Sequence, residues 1–544
     1  MKYRQLKGQV AWAWRQTSDY RIRIFLYILL EVLNLICSLA FVYFSKKAVD
    51  EAVKNPTGNF LESLLLMVIF IAFGIGFGLM SSWISENIKM RMTVKLQASL
   101  MDAQMNAVWK QSKKWHTGDL LVRMNSDCDE VVQMLSYSIP TFFVTSLKLI
   151  ASIGFLWTMD PALAWMLLCV SPLFLFSKIY YKKIRRLNQD VKRTQSSLGT
   201  IMQENLKNRL LIRALQAGGV CKKRFHVIQA NLFDLRKKQL NFFVSTQGII
   251  KYAFNGGYLL AFIWGVYRLY LHEITFGTMT AFLQLVSRIQ MPLLAMIAFV
   301  PAAIRSLNSM DRLKDLLNEE VEKEVKPLLV SGMEQVVLKD VSFRYEEQEV
   351  LSHFDAVFRI GQPTALVGGS GRGKTTIIRL LLAMFSPEKG EVLIENSKNE
   401  KISVTPSTRL NFAYVPQGNS LFSGTIRENL LMGNPAASEE KILEVLHVVS
   451  AEFVEQLPDG LNHVIGESGL GLSEGQAQRI AIARALLQDK TTVWLFDEVT
   501  SALDKKNSGR IIERLIEAGK DKIIIFVTHD MDLARQCSLL IPID

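Results

Sequence analysis

Eight consecutive residues, Gly368-Gly369-Ser370-Gly371-Arg372-Gly373-Lys374-Thr375, carry the clearest chemistry in this chain. They fit the spacing G-x-x-x-x-G-K-[ST] of a phosphate-binding loop. Glycines at these positions let backbone N–H groups curl around phosphate oxygens without Cβ clashes. Lys374 is long enough to reach the β- and γ-phosphates of a nucleotide, and the Thr375 hydroxyl can hold Mg²⁺. A buried-strand run at 364–367 precedes the loop and an apolar helical run at 376–382 follows it. The start of that helix adds a dipole favourable to anions. A glycine-rich turn that binds nothing has no need of strand, loop and helix in this register.

Two further runs end in residues of the right type. Val493-Trp494-Leu495-Phe496 leads into Asp497 and Glu498. Buried parallel strands look like this, and ligands bind beyond their C-terminal ends. Asp497 is a candidate for Mg²⁺, held directly or through water. Glu498 is a candidate to orient or deprotonate an attacking water. Alone, the pair would read as a solvated strand end. The run 523–528 ends at His529. A lone histidine is more often structural than catalytic, and composition leaves this one undecided.

The elements that position these residues occupy only the second part of the 544-residue chain. From about residue 336, short β-rich runs alternate with helical patterns, as in a parallel sheet with crossover helices. Up to about residue 305 the apolar residues form longer runs. A bilayer core takes roughly 20 apolar residues as a helix. Six stretches qualify, at 22–44, 61–83, 138–158, 161–181, 248–271 and 278–304. The connections after the second and fourth are long, polar and basic.

The net charge of +12 has three readings: a solvated basic surface, nucleic-acid binding, or loops held on the cytoplasmic side. The cations cluster beside the apolar runs, as at Lys178, Lys182, Lys183, Arg185 and Arg186, which favours the third. The N-terminus and both long connections then lie inside, and six crossings return the chain to the cytoplasm. The long connections are expected to extend the membrane helices inward, with reversals near 119–127 and 203–216. The five cysteines show no metal spacing or close pairing and suit a reduced compartment.

In order along the chain, the motifs resemble the ATP-binding cassette (ABC) superfamily. Leu472-Ser473-Glu474-Gly475-Gln476 is similar to its signature sequence, with Glu474 in place of the commoner glycine. Ser501-Ala502-Leu503-Asp504 resembles its D-loop. The resemblance implies that Tyr345 stacks on adenine, that Gln417 senses Mg²⁺ and water, and that His529 is the switch histidine. It implies nucleotide contacts from Tyr345, Gly368, Gly369, Ser370, Gly371, Arg372, Gly373, Lys374, Thr375 and Thr376. Ser473, Gly475, Gln476 and Asp504 would contribute across a dimer interface. Catalysis would fall to Glu498, Gln417 and His529, and the metal to Thr375, Gln417 and Asp497.

The membrane half resembles an exporter-type half-transporter. The expected fold is an all-α six-helix membrane domain followed by an α/β P-loop domain with a RecA-like core, a β subdomain and a helical subdomain. The expected boundaries are an amphipathic segment at 1–21, a membrane domain at 22–308, a linker at 309–334 and a cassette at 335–544. The implied function is ATP-driven export of a small amphipathic compound, peptide or lipid, with ATP and Mg²⁺. Import through the same fold and an ATP-gated channel are the alternatives. The six apolar stretches exclude a soluble cassette acting on nucleic acid. The expected partners are a second copy of the chain, or else a different half-transporter, together with membrane lipid and an unidentified substrate. The expected location is a bacterial inner or cell membrane, with the N-terminus and cassette cytoplasmic. Within the apolar stretches lie Glu31, Asn34, Lys148, Gln284 and Arg288. The simpler reading pairs Glu31 with a cation or lines a wet cavity; the other gives Lys148 and Arg288 an anionic or zwitterionic group.

Overall fold

A computed structural model describes residues 2–54, 60–109, 115, 117–170, 177–322, 325–345, 348–369, 371–466, 469–500 and 505–543. The chain divides into two compact units, Met1–Met105 with His116–Asn318, and Asn106–Trp115 with Glu319–Asp544.

The first unit is helical: α1 (Lys2–Gln16), α2 (Arg21–Lys54), α3 (Phe60–Met105), α4 (Thr117–Met159), α5 (Pro161–Val170), α6 (Ser177–Lys207), α7 (Arg209–Ala214), α8 (Gly218–Tyr270) and α9 (Phe276–Leu317). Five of these, α2, α3, α4, α8 and α9, are long and apolar enough to cross a membrane. The expected span at 161–181 is described only in part, because 171–176 lie outside the described residues. The apolar window of α3 is only 6% buried. So much bare hydrocarbon is stable in lipid and not in water, and helices satisfy their own backbone there.

Small residues bring α2 and α3 together. Gly74 and Gly78 lie one turn apart on α3, and a Cβ on either would come within 3.5 Å of the Asn34 side chain. Close approach of this kind holds helices where no hydrophobic effect acts between them. Val42, Leu156, Phe282, Leu285 and Val286 form the buried centre. Buried carboxylates close the corners. Asp160, between α4 and α5, accepts from the backbone N–H groups of Ala162 (2.9 Å) and Leu163 (3.1 Å) and from Trp264 Nε1 (3.1 Å).

Asp50 joins the end of α2 to the start of α9. It accepts from Thr275 Oγ1 and from the Gly277 N–H, both at 2.9 Å. A Cβ on Gly277 would lie 2.3 Å from the Lys46 carbonyl and 2.6 Å from Asp50 Oδ1. Gly277→Ala is therefore expected to destabilise the membrane unit by about 1–3 kcal/mol. A thermal melt of the detergent-purified protein checks this; an unshifted midpoint would show that these helix ends are not clamped.

The first reversal comes earlier than expected. Helix α3 ends at Met105 and helical backbone resumes at Thr117, so 119–127 lies in the returning helix. Acids that read as turn formers are spent on ion pairs: Asp119 accepts from Arg123 Nε (3.0 Å) and Asp127 from Arg312 Nε (2.6 Å). Two π-turns, Arg123–Asp127 and Met134–Ser138, absorb the irregularity. The second reversal, around α7, falls within 203–216.

The second unit begins with a bridge between Ala107 and Val321, where Val108 N–H donates to Glu320 O (2.9 Å). Its sheets use β1 (Met333–Tyr345), β2 (Gln348–Arg359), β3 (Thr364–Val367), β4 (Lys389–Asn396), β5 (Lys401–Ser403), β6 (Phe412–Val415), β7 (Gly424–Thr425), β8 (Val464–Ile465), β9 (Val493–Asp497), β10 (Ile523–Thr528) and β11 (Leu539–Pro542). An antiparallel sheet has the order β2-β1-β4-β5, and a parallel one β11-β3-β10-β9-β6. Every residue of β9 and β10 is buried. Helices cover both faces of such a sheet, so its strands read as unbroken apolar runs. Helix α10 (Lys374–Leu381) follows β3, while α11 (Ile426–Leu431), α12 (Glu439–Val448) and α13 (Glu474–Leu486) form the helical part.

Candidate nucleotide site

Register brings the chemical residues together. In the parallel sheet Val527 pairs with Asp497, and Thr528 pairs with Val367. Strands β3, β9 and β10 therefore end flush. The residues that follow them, Gly368, Glu498 and His529, come out side by side at the carboxyl edge, where open α/β sheets bind ligands.

The loop after β3 is wound around its own lysine. Lys374 is 6% exposed, and its Nζ donates to Gly368 O and Gly369 O, both at 2.7 Å. Gly373 caps α10 with φ +91°, and a Cβ there would meet Val350 Cγ1 at 2.9 Å. Gly371, at φ +83°, has open space where a Cβ would point. Gly368, Gly369, Arg372 and His529 border a cavity of about 450 Å³. A curled backbone, a positive helix start and an inward ammonium suit a polyphosphate.

Beside the loop, Thr375 at the start of α10 faces Asp497, which is 2% exposed. Burial pushes the Asp497 carboxyl up, against the pull of Thr375; Glu498 adds to the rise, and Arg379 and Lys374 oppose it. Buried carboxylates are expensive unless a cation compensates them. A hydroxyl and a buried acid in contact at a phosphate loop are a suitable donor set for Mg²⁺. Tyr414 on β6 also faces Asp497, and burial, with the Asp497 charge adding to it, pushes its phenol up to about 12.

Glu498 stands between two polar groups. Gln417 Nε2 donates to its Oε2 at 2.5 Å, and His529 Nδ1 lies 3.5 Å from its Oε1. Its backbone has φ +51°. A non-glycine residue in the left-handed region carries strain, of the kind that surrounding structure sustains at functional sites. The Glu498 N–H is fixed by Val527 O at 2.9 Å. Tyr345 lies against α10, its hydroxyl 3.4 Å from Thr376 Oγ1 and accepting from Arg379 at 3.0 Å.

Ser473, Gly475 and Gln476 start α13, and their hydrogen bonds close locally. Ser473 Oγ accepts from the Gln476 N–H (3.2 Å), while Gln476 Oε1 accepts from the Ser473 N–H (2.9 Å). Ser370 and Asp504 lie outside the described residues. Arg379 and Tyr414 complete the surroundings and were not among the expected site residues. Tyr414 carried a signal, being three residues before Gln417 on a strand. Arg379 carried none, because it reaches Tyr345 only through the placement of β1 beside α10.

Fold and site together define a P-loop ATPase joined to a membrane-spanning helical domain. Residues 24–293 match the family described as ABC transporter transmembrane region, and residues 351–501 match the family described as ABC transporter. The chain belongs to the ABC transporter superfamily, as a half-transporter of the exporter type. It is 27% identical over 98% of its length to the ATP-dependent lipid A-core flippase of Vibrio cholerae, covering 92% of that protein. It is 24% identical over 97% of its length to the putative multidrug export ATP-binding/permease protein YgaD of Bacillus subtilis, covering 93% of that protein. A solved bacterial Atm1-family ABC exporter with ATP bound superposes with a TM-score of 0.79 at 24% identity, over 96% of this chain and 93% of that one. This chain is thus an integral membrane protein with a nucleotide-binding cassette, an ATPase that drives export.

Proposed function

We propose that the protein works as a homodimer that exports a small amphipathic compound, peptide or lipid across a bacterial inner membrane. In this reading 22–308 form the membrane domain, 309–334 the linker and 335–544 the cassette, with 1–21 lying on the cytoplasmic surface. The observation that supports it best is the flush ending of β3, β9 and β10, which sets Lys374, Glu498 and His529 around one point.

Each residue has a part in the reading. The N–H groups from Gly368 to Gly373 and the Lys374 ammonium bind the phosphates, with Ser370, Arg372, Thr375 and Thr376 around them. Tyr345 supports the base. Mg²⁺, when bound, would neutralise charge on the phosphates; Thr375 and Asp497 would hold it, with Gln417 alongside. Glu498 takes the proton of the attacking water, and Gln417 and His529 keep its carboxylate aimed. Ser473, Gly475, Gln476 and Asp504 act on the nucleotide of the second subunit. Closure follows because ATP binds a closed cassette pair better than an open one, and that differential affinity moves the membrane domain.

The test is ATPase stimulation of the purified protein in lipid discs, screened over peptides, lipids and drugs, with uptake measured in sided vesicles. Stimulation and movement away from the cassette side are expected. Movement toward that side would establish import, and passive ion flux would establish a channel. Full turnover by a monomer at high dilution would overturn the dimer.

A further inference from the structure

The membrane unit holds a cavity of about 230 Å³ whose wall, mostly apolar, carries the polar side chains of Asn34, Ser38, Lys148, Ser152 and Arg288. Its charges are unevenly matched. Lys148 Nζ lies 2.6 Å from Glu31 Oε2, and Ser81 Oγ donates to Glu31 Oε1 at 2.6 Å. That pair is electrically neutral. Arg288, on α9, has no acceptor within hydrogen-bond distance among the described residues. An uncompensated guanidinium at membrane depth is costly, and such residues mark substrate pathways.

We infer that this cavity selects amphiphiles whose headgroup carries a single negative charge, a phosphodiester or a carboxylate, with Arg288 as its counter-charge. The inference rests on the export reading and names the substrate class of that site. Charge count sets the selectivity. Glu31 has already neutralised Lys148, so one cation is left for the ligand. A phosphomonoester with two charges would leave one unmatched, and a cationic headgroup would meet Arg288 directly. At about 230 Å³ the cavity is of headgroup size, and it is open on one side, which leaves room for a tail outside it. Asn34, Ser38 and Ser152 supply donors for the remaining oxygens. Leu35 and Leu39 give an apolar wall toward the tail.

The experiment measures ATPase stimulation and binding for the full-length protein in discs of zwitterionic lipid. The probes are lysophosphatidylglycerol (one negative charge), lysophosphatidic acid (a phosphomonoester), dodecyltrimethylammonium and tailless glycerophosphoglycerol. Wild type should respond most to lysophosphatidylglycerol. Arg288→Gln should weaken that response by about tenfold or more, and Arg288→Lys should keep most of it. Glu31→Gln frees Lys148 and should move the preference toward lysophosphatidic acid. An equal response to the tailless probe would mean a soluble anion is the ligand and would overturn the amphiphile. ATP hydrolysis stimulated only by the cationic probe would overturn the charge selection and leave export standing. Absence of ATP hydrolysis under every condition would remove the export reading itself.

Discussion

Glu498→Gln is expected to lower steady-state ATP hydrolysis by about 10²–10⁴-fold while nucleotide affinity stays within a few-fold of wild type. The amide has the shape of the carboxylate and the same reach toward Gln417 and His529, but it cannot accept a proton from water. Lys374, Thr375 and the loop glycines are untouched, so the phosphate contacts survive. The backbone supports the assignment. Glu498 is held at φ +51° by the Val527 carbonyl, immediately after the buried strand β9. A strand end without a task would sit there more easily as glycine or asparagine. The measurements are phosphate release at saturating ATP and equilibrium binding of a fluorescent nucleotide. In the proposed homodimer, intact binding with hydrolysis stopped should make the closed cassette pair accumulate, because its differential affinity for ATP is no longer discharged. Hydrolysis within about tenfold of wild type would move the base elsewhere.

Legibility divided along a physical line. Runs such as 364–367, 493–497 and 523–528 could be read as strands because a parallel sheet buries both of their faces, leaving no polar alternation. The phosphate loop could be read because its glycines answer local backbone demands at Gly371 and Gly373. Contacts set by strand order could not. The approach of Thr375 to Asp497 depends on β9 lying two places from β3, with β10 between them. The first reversal lies before the expected 119–127 for a related reason. Asp119 and Asp127 have turn-forming chemistry, yet ion pairs with Arg123 and Arg312 hold them in helix. In the membrane unit the charged residues were visible in sequence, but the partner of Glu31 was not. Only the packing of α2 against α4 selects Lys148 and leaves Arg288 without an acceptor among the described residues.

Lys374→Ala carries the other large expectation: a loss of nucleotide affinity of roughly 10²-fold, with hydrolysis lost in consequence. Charge-assisted hydrogen bonds contribute about 1.5–3 kcal/mol each, and one ammonium can make two of them to phosphate oxygens. Before a nucleotide arrives, the same ammonium holds the loop together through Gly368 O and Gly369 O. Two separable effects follow. Without nucleotide, the variant should melt earlier by an amount equivalent to about 1 kcal/mol, since two carbonyls lose a donor. With nucleotide, the upward shift in melting that binding confers on wild type should largely vanish, because that shift grows with the logarithm of ligand concentration over Kd. Lys374→Arg distinguishes charge from shape. Its guanidinium keeps the charge, but its planar fork is bulkier than the ammonium that a side chain 6% exposed now occupies. Affinity should therefore stay low in the arginine variant. If alanine lowered melting without nucleotide but left the nucleotide-induced shift intact, Lys374 would be a strut of the loop and not its phosphate ligand.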